Sequence, residues 1–232
     1  MLEQLLSWDR ILFLALNGTD SLYLDGFMWT VSRTAVWVPL MAIIAYVIFK
    51  NNGLRSFLLT MLFVAVLILV TDQVSSHLAK PFFHRFRPTH DPELSSLVNC
   101  VNGYRGGLYG FFSSHASNTF GAAIFLSLLF RNAGVTSILY CYAALCSYSR
   151  IHLGVHYPGD ILAGACFGTL TGLLIYLIYS YLNRKVGFSR TFYSDTFTKT
   201  GFIQSDLSVI GLFFSMTLVY ISVQAVVYAS QF

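Results

Sequence analysis

Long runs of apolar residues, separated by short polar segments, extend over most of the chain. Runs of this kind predict membrane-crossing helices, because at about 1.5 Å per residue they cover a hydrocarbon core of about 30 Å. The predicted spans are residues 25–49, 54–79, 115–130, 133–148, 161–182 and 207–228. The third and fourth are short, so we expect each to gain a turn beside the polar segments. The pattern predicts an all-α fold, a polytopic transmembrane helical bundle of about six spans.

The first residues follow a different pattern. Residues 2–16 predict an amphipathic helix with one broad apolar face. That face holds Leu2, Leu5, Leu6, Leu12, Phe13 and Leu16. Trp8 suits a membrane interface, whereas Asp9 falls within the apolar stripe. We expect an interfacial helix, with a helix packed on the bundle from the soluble side as the alternative. Because Glu3, Asp9 and Arg10 interrupt the apolar stretch, we expect no cleavable signal peptide.

Composition supports a membrane protein. Hydrophobic residues make up 56% of the 232 residues and charged residues only 10%, whereas a soluble domain carries about 25% charged residues. The net charge of +4 does not indicate nucleic-acid binding. Three of the four cysteines lie in apolar runs and only Cys100 lies in a polar loop, so no structural disulfide is expected. Residues 1–232 are expected to form a single domain, and the oligomeric state is left open.

The charges predict an orientation. Six spans place both termini, the loop 80–112 and the loop 149–160 on one face. Seven basic residues fall in the opposite loops: Lys50, Arg55, Arg131, Arg184, Lys185, Arg190 and Lys199. Short loops rich in Lys and Arg stay in the cytoplasm, so the polar loops should face the periplasm or exterior of a bacterial inner membrane.

Glycines recur in the fifth predicted span. Gly164, Gly168 and Gly172 are spaced every four residues, which places them on one helix face. Small residues at this spacing let a second helix approach closely, so they predict packing rather than chemistry.

Residues 149–160 concentrate ionisable groups between two apolar runs. Such groups beside membrane segments are costly and are therefore functional candidates. Gly154, Pro158 and Gly159 predict a turn between two helices. His156 and Asp160 then meet across a helix start, where the carboxylate fixes the imidazole tautomer.

Two further polar clusters, residues 80–88 and residues 112–115, fall at the same end of the bundle as residues 149–160. They bring Lys80 and Arg87 towards Arg150, and three converging cations repel one another unless an anion lies between them. A phosphate fits that position, because arginine binds its oxygens bidentately. Ser113, Ser114 and the following helix start can add hydroxyl and backbone N–H donors.

Several of these residues have other interpretations. His152, His156 and Asp160 have the spacing of helical metal ligands, but the predicted turn and the neighbouring Arg150 disfavour a bound cation. Asp72 is predicted to lie at the membrane interface, with a supporting position behind the site residues as the alternative. His84, His90 and Arg85 are predicted to be solvated loop side chains. For Arg85, a lipid headgroup or a second phosphate is an alternative partner.

Taken together, the three clusters resemble the signature of the type 2 phosphatidic acid phosphatase superfamily. That signature is Lys-x6-Arg-Pro, then Pro-Ser-Gly-His, then Ser-Arg-x5-His-x3-Asp. The first and third parts are complete here, in Lys80, Arg87, Pro88, Ser149, Arg150, His156 and Asp160. In the second part Ser113 and His115 match, whereas Phe112 replaces the proline and Ser114 replaces the glycine.

The resemblance implies a hydrolase that needs neither metal nor cofactor. His156 would attack phosphorus and form a phosphohistidine, Asp160 would orient it, and His115 would protonate the leaving oxygen. The phosphate oxygens would be bound by Lys80, Arg87, Ser113 and Arg150.

The expected substrate is a lipid phosphate held in the bilayer, with undecaprenyl diphosphate or lipid A favoured by the outward-facing site. Phosphatidylglycerol phosphate and phosphatidic acid are alternatives. A membrane protein that only binds or transports phospholipids is a further alternative, although it leaves His115, His156 and Asp160 unexplained.

Overall fold

The computed structural model describes residues 2–185 and 196–231, and every long element of secondary structure in these ranges is a helix. The helices are α1 (Leu2–Asn17), α2 (Leu22–Ser32), α3 (Val38–Gln73), α4 (Lys80–Phe83), α5 (Ser114–Phe130), α6 (Ala133–His152), α7 (Pro158–Lys185) and α8 (Gln204–Ala229). Arg190, one of the basic residues used to predict orientation, lies outside the described residues. The predicted all-α membrane fold is confirmed.

Within the described residues, three helical stretches are long and apolar enough to cross a membrane: Thr34–Phe83, Pro158–Arg184 and Gln204–Ala229. The first makes two passes. Gly53 leaves the helical region (φ 72°, ψ 172°), which glycine adopts readily, and the rings of Phe49 and Phe57 come within 5.6 Å across this break. The turn separates a first arm, residues 38–52, from a second arm, residues 54–73.

The first predicted span is interrupted, which corrects its limits. Residues 25–49 do not form one helix: α2 ends at Ser32, a 3-10 turn covers Thr34–Trp37, and α3 begins beside Pro39. Proline has no N–H to donate and its ring clashes with the carbonyl four residues earlier. It therefore stands at the start of α3, where its backbone angle is already helical.

The ends of other spans also differ from the prediction. The second arm continues through a π-helical stretch, Val74–Ala79, into α4, and so runs past its predicted end at Ala79. The fourth span runs on from Tyr148 to His152, which is the extra turn expected of it, whereas the third begins at Ser114, only one residue before its predicted start. These extensions carry Lys80 and Arg150 to one end of the bundle.

Helices α5 and α7 pack closely through the predicted glycine stripe. A Cβ atom on Gly164, Gly168 or Gly172 would lie 2.5, 2.1 or 2.4 Å from a carbonyl oxygen of α5 or its cap. Such distances are far inside van der Waals contact, so only glycine permits this approach. The prediction that the stripe serves packing is confirmed, and its consequence is that the start of α7 lies against the start of α5.

Helix α1 has two apolar faces with different partners. Phe13 is fully buried and packs on Tyr157, with ring centroids 5.4 Å apart, and the amide of Asn17 donates to the carbonyl of His152 at 2.7 Å. On the opposite face Leu5, Trp8 and Ile11 are 61–69% exposed. The helix is therefore an interfacial helix that also docks on the bundle, which joins the two alternatives given by the sequence.

Candidate active site

A cavity of about 660 Å³ opens at the end of the bundle where α4, α5 and α6 meet. Its polar end is lined by residues that the three sequence clusters supply, together with two that they do not. They are Asp72, Lys80, Arg87, Tyr104, Ser114, His115, Arg150 and His156. The structure thus brings together the predicted histidines and cations on one wall.

The segment between α6 and α7 positions His156. Gly154 has a positive φ of 77°, and a Cβ there would lie 2.6 Å from a methyl of Val98, so the turn requires glycine. The N–H of Val155 then donates to the carbonyl of Arg150 at 3.1 Å, which closes the turn before α7 begins at Pro158. The predicted turn between two helices is confirmed.

His156 is buried between groups of opposite charge. Its Nδ1 lies 3.4 Å from Oδ2 of Asp160, and its Nε2 lies 3.2 Å from Nη1 of Arg87 on the cavity wall. Because the arginine can only donate, Nε2 accepts and Nδ1 carries the proton towards Asp160. Burial, and then the charges of Arg87 and Arg150, lower the pKa of His156 well below its ordinary value. The ring is therefore neutral, with a nucleophilic lone pair at the cavity.

Asp160 is fully buried and held by several donors. Its Oδ2 also accepts the N–H of Tyr157 at 3.1 Å, and its Oδ1 accepts Nη1 of Arg85 at 2.8 Å. Its backbone carbonyl accepts the N–H of Ser113 at 3.1 Å. A buried carboxylate is tolerated only when it is paired and hydrogen-bonded in this way. The pairing predicted between His156 and Asp160 is present in the structure.

The three predicted cations face the cavity with hydrogen-bonding capacity to spare. Nη1 of Arg87 donates to the carbonyl of Val155, and Nη2 of Arg150 donates to the hydroxyl of Tyr104 at 3.2 Å. Buried Nε atoms of both arginines have no hydrogen-bond partner among the described residues. Burial, followed by the charge of Arg150, lowers the pKa of Arg87. An anion in the cavity would relieve the repulsion between these cations.

The two serines of the second cluster have different surroundings. Ser113 is fully buried and caps α5, where its hydroxyl accepts the N–H of Ala116 at 3.4 Å. Ser114 instead lies on the cavity wall, and its hydroxyl accepts Nζ of Lys80 at 2.8 Å and contacts the hydroxyl of Ser75 at 2.7 Å. The serine that replaces the expected glycine therefore fixes the lysine. His115 follows in the first turn of α5 and lies on the same wall.

Arg85 was predicted to be solvated, and this interpretation is wrong. Its side chain is only 20% exposed and bridges Asp160 to Asp9, whose Oδ2 it reaches at 2.6 Å. One signal for this contact is visible in the sequence: Asp9 interrupts the apolar stripe of α1, and a carboxylate in such a stripe needs a partner. Asp72 lies on the cavity wall, as the alternative of a supporting position beside the site implies.

The alternative metal site is not assembled in this structure. Nε2 of His152 lies 2.8 Å from Oδ1 of Asp25 on α2, so that His152 ties two helices together. It does not share a site with His156 and Asp160. Within residues 2–185 and 196–231, no three acidic, cysteine or histidine side chains are grouped to hold a metal ion.

Beyond the polar end the cavity becomes apolar. Its walls come from both arms of α3, from α5 and from α6, and they reach Ile48, Met61, Leu126 and Leu139. From Thr34 to Ile48 the helix rise of 1.5 Å per residue gives a depth of roughly 20 Å. The cavity thus combines an end lined by cations with an apolar compartment that extends towards the opposite face of the bundle.

Comparison with known proteins places this site in a family. The family model of the PAP2 superfamily matches residues 53–184, which include all three clusters. Lipid A 4'-phosphatase of Porphyromonas gingivalis is 39% identical over 184 residues, covering 79% of this chain and 78% of that protein. Lipid A 4'-phosphatase of Bacteroides thetaiotaomicron is also 39% identical, covering 80% of this chain and 83% of that protein.

More distant proteins share the fold. An undecaprenyl-diphosphatase of Sulfolobus acidocaldarius is 28% identical over 74% of this chain and 79% of its own length. The crystal structure of Aquifex aeolicus LpxE superposes with a TM-score of 0.52 at 26% identity, covering 71% of this chain and 92% of that one. The crystal structure of a transmembrane phosphatidylglycerolphosphate phosphatase from Bacillus subtilis has a TM-score of 0.55 at 21% identity, covering 79% and 88%.

Proposed function

This chain belongs to the PAP2 superfamily, and we propose that it removes the 4'-phosphate of lipid A through a phosphohistidine on His156. The family and the relatives establish the general activity, which is hydrolysis of a phosphate ester on a membrane lipid. They favour this activity over the alternative of a membrane protein that only binds or transports phospholipids.

The observation that carries the proposal is the continuity of the cavity. Lys80, Arg87, Arg150 and His156 line one end, and the apolar compartment between the arms of α3 and helices α5 and α6 lines the rest. A lipid phosphate matches both ends, since its charged group needs cations and its acyl chains need apolar walls. An enzyme for soluble phosphate esters would have no use for the deep compartment.

The proposed reaction has two steps. In the first, Nε2 of His156 forms a bond to phosphorus while the bond from phosphorus to the lipid oxygen breaks, and His115 gives that oxygen a proton. In the second, water attacks the phosphohistidine, His115 takes a proton from the water, and phosphate leaves with His156 restored. Charge on the phosphoryl oxygens is stabilised by Lys80, Arg87 and Arg150, which are fixed before the substrate arrives.

Two of the predicted phosphate ligands take different parts in this scheme. The hydroxyl of Ser114 lies on the cavity wall and holds Lys80, so we place it beside the phosphate. Ser113 contributes by capping α5 and by donating its N–H to the carbonyl of Asp160, which joins the helix bearing His115 to the helix bearing Asp160.

The choice of lipid A rests on the relatives. Two lipid A 4'-phosphatases are 39% identical to this chain over about four fifths of its length, against 28% for the undecaprenyl-diphosphatase. Undecaprenyl diphosphate is the second candidate, because that relative also matches across the three clusters. The structural neighbour named as a phosphatidylglycerolphosphate phosphatase is only 21% identical, so it bears on the fold and not on the choice of substrate.

The proposed location is the inner membrane, with the site on the periplasmic side. The end of the bundle opposite the cavity holds Lys50, Arg55, Arg131 and Arg184, as the sequence predicted from charge. Lys50 is paired there with Asp206 at 2.8 Å, but Arg55 and Arg131 remain available to retain these loops in the cytoplasm.

The experiment is a substrate panel with purified protein in detergent. Lipid A, undecaprenyl diphosphate and phosphatidylglycerol phosphate are each incubated with the protein, and the products are examined by mass spectrometry. We expect lipid A to lose one phosphate, at the 4' position by fragmentation, with a kcat/KM higher than that for the other lipids. Preferential hydrolysis of undecaprenyl diphosphate, or loss of the other lipid A phosphate, would overturn the substrate assignment.

A further inference from the structure

We propose that Asp9, on the interfacial helix α1, is a positioning residue of the active site, and that it acts through Arg85 on the catalytic Asp160. The inference rests on the proposed role of Asp160 in orienting His156. It makes the N-terminal helix, which lies outside the matched family region, part of the catalytic apparatus.

Arg85 is fixed between two carboxylates. Nη2 donates to Oδ2 of Asp9 at 2.6 Å and Nη1 donates to Oδ1 of Asp160 at 2.8 Å. The guanidinium also lies over the ring of Tyr157, with its carbon 4.3 Å from the ring centroid. A planar guanidinium held on two edges and one face has little freedom to rotate. The position of Asp160 is therefore set partly by Asp9.

Asp9 makes a second contact with the catalytic segment. Its Oδ1 accepts the N–H of Gly159 at 2.7 Å, next to Asp160 in the first turn of α7. That backbone N–H has no partner within its own helix, so the carboxylate satisfies it and also favours the helix N-terminus. One side chain from α1 thus binds both the residue before Asp160 and the arginine that holds its carboxylate.

Gly159 is a second observation in support of this role, because the close approach of Asp9 to α7 requires glycine at this position. A Cβ atom at this position would lie 2.6 Å from Oδ2 of Asp9 and 3.2 Å from its carboxyl carbon. Its backbone is helical, and alanine ordinarily stabilises a helix relative to glycine. The glycine therefore serves the approach of Asp9 and not the conformation of α7.

The three charged side chains Asp9, Arg85 and Asp160 are largely removed from water, so each depends on its partners. Asp160 is fully buried, and the side chains of Asp9 and Arg85 are 14% and 20% exposed. Without Asp9, Arg85 keeps its charge but loses one of the contacts that define its orientation. Asp160 then tilts relative to Nδ1 of His156, and misplacement of a reacting group by about 1 Å costs up to roughly a hundredfold in rate.

The first test compares two neighbouring positions on α1. Asp9→Asn removes the negative charge that binds Arg85. Arg10→Gln removes a charge that also docks α1, through Asp91 and Glu93, but makes no contact with Asp160. We expect Asp9→Asn to lower kcat and the rate of phosphohistidine formation by about tenfold with KM unchanged. Arg10→Gln should stay within about twofold of the wild type, because the side chain of Arg10 is 40% exposed and its pair with the exposed Glu93 contributes little.

The second test leaves every charge in place. Gly159→Ala should lower kcat in the wild-type background, because the new methyl group displaces the carboxylate of Asp9. In an Asp9→Ala background the same substitution should have little further effect, because the group with which it clashes is gone. Residues in contact show such non-additivity, whereas independent sites add.

Three outcomes would overturn the proposal. These are equal effects of Asp9→Asn and Arg10→Gln, a loss confined to KM, or a Gly159→Ala effect that is the same with and without Asp9. Thermal unfolding of each variant in detergent separates lost activity from lost folding. A wild-type protein without phosphatase activity would instead contradict the proposed function, so the two failures are distinguishable.

Discussion

His156 gains its reactivity from neighbours of opposite charge on its two nitrogens. Asp160 holds the proton on Nδ1. Burial, followed by the charges of Arg87 and Arg150, lowers the pKa of the ring, so that Nε2 keeps its lone pair at ordinary pH. The same arginines bind the phosphate in the proposed reaction. The groups that keep the nucleophile unprotonated are thus the groups that attract the substrate, and no separate general base is required for the attack.

The two histidines should fail at different steps. His156→Ala removes the attacking atom and should abolish turnover together with any covalent phosphoenzyme. His115→Ala should abolish turnover of lipid substrates, whose alkoxide leaving group needs a proton. It should still form a phosphoenzyme with an aryl phosphate, whose leaving group needs none. Acid-labile labelling from a radioactive phosphate ester measures the intermediate. Labelling of the His156→Ala protein would remove this residue from the role of nucleophile.

At the level of elements, the site depends on how closely α5 and α7 approach. His115 is carried by the first turn of α5 and Asp160 by the first turn of α7, and the N–H of Ser113 bonds to the carbonyl of Asp160. The glycine stripe of α7 fixes the separation of these two helix starts. A packing motif in the membrane therefore sets the geometry of catalytic groups at its surface.

Gly168→Ala should disturb this approach. The new Cβ would lie 2.1 Å from the carbonyl oxygen of Ser117, a backbone atom that cannot rotate away. Overpacking of this kind costs about 1–3 kcal/mol, against a gain of about 1 kcal/mol in helix propensity. We expect a lower melting temperature in detergent and lower kcat. The control is Gly211→Ala on α8, where the Cβ would meet only a methyl group of Ile138 at 3.5 Å. A destabilisation shared by both variants would show that the stripe has no special role.

The sequence predicts elements that depend on composition and misses those that depend on tertiary partners. Apolar runs located the spans because exclusion from water is a property of each run by itself. The break between α2 and α3 could be anticipated at Pro39, whereas the reversal at Gly53 depends on how the two arms pack. In the site, the three motifs identified most of the charged groups that line the polar end of the cavity. Arg85 was misjudged because its partner, Asp9, is distant in sequence and is brought near only by docking of α1.

At the level of the whole molecule, α1 links the bilayer surface to the site. Its exposed residues Leu5, Trp8 and Ile11 suit the membrane interface, and its other face contacts Tyr157 and Gly159 beside the nucleophile. The cavity extends from the same end between the arms of α3. The phosphate end, the interfacial helix and the apolar compartment are therefore aligned with a lipid whose headgroup lies at the membrane surface.

That alignment makes the side of the membrane a decisive property, because the leaflet determines which lipids reach the site. The bias of Lys and Arg predicts that the loops near the cavity face the periplasm.

Cys100 lies in one of these loops and is partly exposed, whereas Cys141 and Cys166 lie within α6 and α7. A membrane-impermeant maleimide applied to intact spheroplasts should therefore label Cys100. The matched variant Cys100→Ser should lose the label while keeping its phosphatase activity, because Cys100 is not among the residues that line the cavity. Labelling of Cys100 only after the membrane is permeabilised would place the site in the cytoplasm. Lipids of the inner leaflet, phosphatidylglycerol phosphate and phosphatidic acid, would then replace lipid A as the expected substrates.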